Sequence, residues 1–266
     1  MNPGALLAAG DRNLAHVLRL TARTTPEGVV EEDERLFLVS SSRTWPGPYS
    51  NGALRLDPSM PPRDVLSRAR AFFARHCLGY CVWIATHADL DLEAAALDAG
   101  LVQISPTGSP RMALDHSLPE VVLPPGVDLD EVSDETGRCG YVAVTIEAYR
   151  ELGLPADVVE AQLATVESLH GPDVRAVVAR DRGRPVAAAM VVLSDGVAGI
   201  QMVGTVPGAR GRGLGELCTR WTVNTGFRLG AAAAVLEASE MGEPVYRRMG
   251  FVELSRYRWC FGPPPR

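Results

Sequence analysis

The stretch Val203–Gly215, VGTVPGARGRGLG, constrains this chain more than any other part of it. Apolar residues lead into a Pro-Gly pair, four glycines fall between positions 208 and 215, and a helical pattern follows at once. That is a strand, a tight turn and a helix in direct succession. The first amides of a helix have no intrahelical acceptor. Glycines let the backbone curl and meet a ligand with no Cβ in the way. The partial positive charge of the helix start adds to this. The segment therefore predicts a cradle for phosphate or diphosphate, with Arg210 and Arg212 placed for charge-assisted contacts.

Two common phosphate loops do not fit. A Walker A loop ends in Gly-Lys-Ser/Thr, and all 26 basic residues here are arginine. A dinucleotide fingerprint needs a third glycine, but Gly211-Arg212-Gly213 is followed by Glu216 and Cys218 where it should stand. The preceding strands also have the wrong order for it. Residues 132–149 and 155–169 read as helices. Val174–Arg180, Val186–Leu193 and Ala198–Val206 read as strands joined by the turns Asp181–Arg184 and Ser194–Gly196. After the loop come a helix over 213–229, a strand at Ala233–Ala238, a short helix at Pro244–Met249 and a last strand at Phe251–Phe261. The expectation is an α+β domain on a mixed, mostly antiparallel sheet with one crossover helix.

The first half reads similarly. Helices are expected at 11–23, 64–76 and 92–99, and strands at 36–40, 53–56, 81–86, 101–104 and 111–114. Residues 93–102, EAAALDAGLV, align with 243–252, EPVYRRMGFV: Glu93, Gly100 and Val102 match Glu243, Gly250 and Val252, and Ala96 stands opposite Tyr246. The segment HSLPEVVLPPGV at 116–127 breaks the pattern. The reading is a first domain over 1–118, a linker over 119–127 and a second domain over 128–266, with two related sheets packed on one another.

Composition narrows the function. A net charge of −6 and a pI near 5.4 give no pull toward nucleic acid. No run of ~18 apolar residues predicts a membrane span, and the N-terminus lacks the basic start of a signal peptide. The five cysteines show no second pair to complete a metal site with Cys77 and Cys81. A cytoplasmic protein with reduced thiols and no metal is expected.

Arg210-x-x-Gly213-x-Gly215 resembles the R/Q-x-x-G-x-G/A loop of the GCN5-related N-acetyltransferases (GNAT). The strand ending in Val206-Pro207 before it, Leu236-Glu237-Ala238-Ser239 and Tyr246-Arg247-Arg248-Met249-Gly250-Phe251 after it, resemble the same family over roughly 127–262. The first half is similar to that fold more weakly. At its corresponding turn, Asp57-Pro58-Ser59-Met60-Pro61-Pro62 has no glycine, so this copy is expected to lack a cofactor loop. The resemblance implies a GNAT fold, two tandem copies and acetyl-CoA as co-substrate. It implies direct attack of a primary amine of a small molecule, peptide or protein on the thioester. Val203, Gly204 and Thr205 would hold the pantetheine arm through their backbone. Arg210, Gly211, Arg212, Gly213, Leu214 and Gly215 would hold the diphosphate, and Ser239 the pantetheine region. The Val203 amide would polarise the thioester oxygen, and Tyr246 would protonate the departing thiolate. Some members place a glutamate at the position of Gly199, so the base is missing here; Glu147 or a bound water are the substitutes, and His170 reads as a loop residue. An acyl-CoA sensor and a transferase for longer acyl groups, given room by Gly199 and Gly204, are the alternatives. A homodimer is left open.

Overall fold

The computed structural model describes residues 1–120 and 122–264. Val121, within the 119–127 segment, and the last two residues of the second half lie outside the described residues. The second half is built on strands β8 (Val174–Asp181), β9 (Arg184–Ser194) and β10 (Val197–Thr205). Their turns place Arg182 and Gly183, then Asp195 and Gly196, at positive φ, the conformation that two-residue hairpins require. A short edge strand, β7 (Val127–Glu131), pairs with β8, and helices α4 (Glu135–Tyr149) and α5 (Ala156–Gln162) cover one face. Asp134 caps α4 by accepting from the Gly137 amide at 2.8 Å. The helix expected over 155–169 is α5 followed by a separate 3-10 turn at Val166–Ser168. Helix α6 (Leu214–Arg228) crosses the other face to the parallel strand β11 (Ala233–Glu237). Then follow α7 (Glu243–Arg248) and β12 (Val252–Gly262).

The first half runs α1 (Pro3–Thr24), β1 (Val29–Glu32), β2 (Leu36–Ser40), β3 (Asn51–Arg55), α2 (Pro62–His76), β4 (Tyr80–Ala85), α3 (Leu90–Asp98), β5 (Val102–Gln103) and β6 (Ser109–Leu114). Its β3 and β4 are parallel, with α2 between them in sequence, as β10 and β11 are with α6. Gly100 and Gly250, matched in the repeat, end α3 and α7 with φ of +83° and +99°, the left-handed turn that glycine takes without strain.

The two halves do not form two packed sheets. All strands join one sheet in the order β1-β2-β3-β4-β12-β6-β11-β10-β9-β8-β7, with β5 beside β12. The halves exchange their last strands. β6 of the first half pairs with β11 and β12 of the second, and β12 of the second half pairs with β4, β5 and β6 of the first. The seam is aromatic: Trp83 on β4 packs edge-on against Tyr257 and Trp259 of β12 at centroid distances of 5.2 and 5.4 Å. Helix α1 lies across the seam and touches β2, β9, β10 and β12. Among the described residues no helix is long and apolar enough to cross a membrane.

Candidate functional site

Strands β10 and β11 pair only through Val197–Gly199 against Ala233–Val235, and then part. A bulge between Gln201 and Gly204, with Met202 at φ +51°, breaks the ladder with β9 at the same level. The edge of β10 beyond Gly199 is thus free to accept a strand-like ligand. Helix α4 sets the depth of this fork. A Cβ at Gly204 would lie 2.9 Å from the Ala148 Cβ, and the Tyr149 hydroxyl donates to the Val203 carbonyl at 3.0 Å. Tyr149 was not legible as a site residue; its one signal is that it closes the helix expected over 132–149.

The fork runs into the glycine turn. After a 3-10 turn at Pro207–Ala209, Gly211 and Gly213 both take φ of +76°. A Cβ at Gly208, Gly211 or Gly213 would meet nothing within 4 Å, so the loop is open on its outer side. Leu214, 2% exposed, anchors the start of α6 in the core, and the Gly215 position touches the Thr205 hydroxyl. Among the described residues the amides of Gly211, Arg212, Gly213, Leu214, Gly215 and Glu216 donate to no protein acceptor. Six consecutive free donors at a helix start fit a diphosphate. The two arginines sit beside the loop. Arg210 turns inward to Glu151 at 2.7 Å and to the Thr205 and Ala148 carbonyls, and Arg212 pairs with Asp181 at 2.7 Å.

Across the fork, the Ser239 hydroxyl accepts from the Gly242 amide at 3.1 Å and shapes the turn into α7. Gly242 lets the Tyr246 ring lie against that turn, since a Cβ there would be 2.9 Å from it. Tyr246 is buried beside Phe251, and burial pushes its phenol up to about 12, against a hydrogen bond with Thr219 that lowers it. A splayed parallel pair, a bulged strand, a bare glycine turn and a buried tyrosine thus converge. Residues 133–251 match the family model described as Acetyltransferase (GNAT) family.

These residues form a GNAT domain. The fold of the whole chain recurs in solved structures. A GCN5-related N-acetyltransferase from Kribbella flavida is 22% identical, with a TM-score of 0.71 and 95% of each chain covered. A tandem GNAT protein from the clavulanic acid biosynthesis pathway is 16% identical with a TM-score of 0.61, covering 98% of this chain and 95% of that one. A GCN5-related N-acetyltransferase from Sphaerobacter thermophilus is 14% identical with a TM-score of 0.60, covering 87% and 81%. No curated protein matches the chain.

In the first half the corresponding fork is closed. The Arg55 side chain at the end of β3, fully buried, donates to Asp89 at 2.8 Å, to Asp91, and to the carbonyls of Met60 and Ala88. It therefore ties together the loops that leave β3 and β4, where the second half opens. In the turn before α2, Asp57 accepts the Ser59 amide and the Asp57 carbonyl accepts that of Met60, so those donors are spent.

The expected room at the two strand glycines is absent. Gly204 faces Ala148, as above, and a Cβ at Gly199 would come within 2.0 Å of Asn13 Oδ1 of α1. Asn13 is held there by the Val192 carbonyl and the Ser194 hydroxyl, each at 3.0 Å. Glu147 is half-buried on α4, and His170 stays in its loop beside Glu131. Gly199→Glu is expected to restore no base. It should instead cost at least the ~1–3 kcal/mol of an overpacked core, read as a fall in urea midpoint.

Proposed function

We propose that this chain transfers the acetyl group of acetyl-CoA to a primary amine by direct attack within a ternary complex. The observation that carries the reading is the run of amides at 211–216 that are unpaired among the described residues, opening onto the side of β10 that β11 leaves beyond Gly199. The diphosphate would lie on Arg210–Gly215, and the pantetheine arm along the backbone of Val203, Gly204 and Thr205, near Ser239. Holding both reactants in one cleft supplies most of the rate. The Val203 amide, at the bulge, is the donor for the thioester oxygen. Tyr246 is neutral at pH 7 and supplies a proton to the leaving sulfur. Residues 128–266 would carry the chemistry and 1–118 the wall of the acceptor cleft, with 119–127 linking them.

Calorimetry with coenzyme A and thiol release from acetyl-CoA with an amine panel test this. Gly213→Val puts a β-branched residue at φ +76° in the cradle, a strain of ~1–2 kcal/mol before any blocked contact. Affinity for coenzyme A should therefore fall tenfold or more. No heat of binding by the parent chain would end the proposal.

A further inference from the structure

Strand β2 ends in Ser40, and the run Ser40-Ser41-Ser42 leads into the loop that returns at β3. Asn51 holds this turn. Its Oδ1 accepts from the Ser40 hydroxyl at 3.1 Å and from the Ser42 amide, and its Nδ2 donates to the Ser42 and Gly79 carbonyls. From the second half, α5 is docked onto the same loop: Gln162 Nε2 donates to the hydroxyls of Ser41 at 3.1 Å and Ser50 at 2.9 Å. Between this loop, α5 and the ends of α1 and α2 lies a cleft of about 370 Å³. Its size is that of a small-molecule site, and it lies at a junction of the two halves, where such sites concentrate. None of the residues that line it belongs to the fork or to the glycine turn.

One side of the cleft is apolar. Leu78 and Val158 are buried in its wall, Ala161 is half-buried and Val29 is exposed. The other side carries hydroxyls whose protons are already committed. Ser40 donates to Asn51, Ser41 to the Ser50 carbonyl at 3.2 Å, Thr25 to the Thr21 carbonyl at 2.7 Å and Thr44 to Asp157 Oδ2 at 3.3 Å. A hydroxyl has one proton and two lone pairs. With the proton turned into the protein, what each has left for a ligand is a lone pair. Ser42 likewise serves as an acceptor, for the amides of Thr44 and Trp45. Two exposed carboxylates, Glu27 and Asp157, complete the polar lining. Arg43, the one arginine there, is bound to Glu27 at 2.5 Å, so those two charges cancel. Asp157 meets only the neutral Thr44 hydroxyl among the described residues, and its charge is left over.

We propose that this cleft is a second ligand site, for an organic ammonium ion with an apolar body. The ammonium head is all donor and no acceptor, which is what the spent hydroxyls of Ser40 and Ser41 and the carboxylate of Asp157 require. The hydrocarbon body covers Leu78, Val158 and Ala161. An anion would meet lone pairs and an unmatched carboxylate. A neutral apolar molecule would cover oxygens that nothing then completes. The ligand touches α5 of the second half and the β2–β3 loop of the first at once, so it fastens the halves where Gln162 already joins them. Helix α5 packs on α4, which carries Ala148 and Tyr149 at the fork, so the cleft and the fork share one support. The site is separate from the acceptor's place in the acetyltransferase reading and does not rest on that reading.

The test uses the full chain with phenethylammonium and hexylammonium chloride as probes, and 2-phenylethanol as the uncharged match of the first. Binding is read by calorimetry and as a rise in unfolding temperature with probe concentration, since a ligand of the folded state alone stabilises it. Both ammonium probes should bind, and the alcohol roughly tenfold more weakly, the scale of leaving acceptors unmet. Ala161→Phe puts a ring into the cleft from its half-buried wall and should abolish ammonium binding there. Asp157→Asn, at an exposed position, removes the unmatched charge and keeps the test open if the larger ring disturbs α5. It should weaken both ammonium probes about threefold, the size of an exposed ion pair. Equal affinity for the alcohol overturns the proposal. So does ammonium affinity unchanged in either variant, which would put the amine elsewhere, at the fork included, and so does a parent chain that binds neither ammonium probe. Thiol release from acetyl-CoA plays no part in these readouts, so failure here leaves the acetyltransferase reading standing.

Discussion

Tyr246→Phe is expected to bind coenzyme A as the parent does and to turn over about 100-fold more slowly, at the low end of what a positioned acid contributes. The hydroxyl is the only atom removed. The ring keeps its contacts with Phe251 and with the turn at Gly242, so the wall of the fork stays intact. A single hydroxyl contributes about 0.5–1.5 kcal/mol of stability, too little to unfold a domain. The pH dependence is a second check. A phenol raised from 10.0 to about 12 stays protonated across the working range, so Tyr246 should add no alkaline limb below about pH 11. The sign for stability follows. The unfolded chain loses this proton near pH 10 and the folded chain only near 12, so the folded state is weakened as pH climbs through that window. Single-turnover thiol release with coenzyme A titrations measures both effects. Equal turnover in the variant would remove Tyr246 from the chemistry and leave it as a packing residue.

What could be read from the sequence divides along a physical line. The glycine turn, α6 and the hairpins are local: their φ requirements and periodicities are written in consecutive residues, and they stand where expected. The edge strands β1 and β7 are not legible because VVEE and VDLDE carry acids where a buried strand would carry apolar residues. The strand exchange was invisible for a different reason. SPRMAL and VELSRYRWCFG show that β6 and β12 are strands, but nothing in either says which β-partner it takes. The same holds for the site. Tyr246 lies in a recognisable segment, whereas the buried pair of Glu237 with Arg111 exists only because the exchange brings β6 beside β11. The closing of the first fork by Arg55 depends likewise on Asp89 and Asp91, far along the chain.

The exchange sets the largest expected effect on stability: residues 1–118 and 119–266, produced separately, should each fail to fold, and co-expression should recover a folded, coenzyme A-binding pair. Without the second half, β4 loses β12, and Tyr80–Ala85, buried along its whole length, becomes an open apolar edge. Without the first half, β11 and β12 lose β6, which stands between them. Burying a large side chain such as Tyr257 or Trp259 is worth about 1.5–3 kcal/mol. Together with Trp83 between them and the two ladders, the loss rivals the roughly 5–15 kcal/mol by which a whole domain is stable. The alternative is that each half folds its own last strand back onto its own sheet, β6 onto β4 and β12 onto β11, in the place the other now fills. Such halves would be soluble monomers with cooperative urea transitions. The second half would then bind coenzyme A alone, but it would lack Arg111 beside Glu237. Circular dichroism and urea unfolding of each half distinguish the two outcomes. Folded, independent monomers would mean that the exchange is dispensable to the fold and needed only to assemble the acceptor side of the cleft.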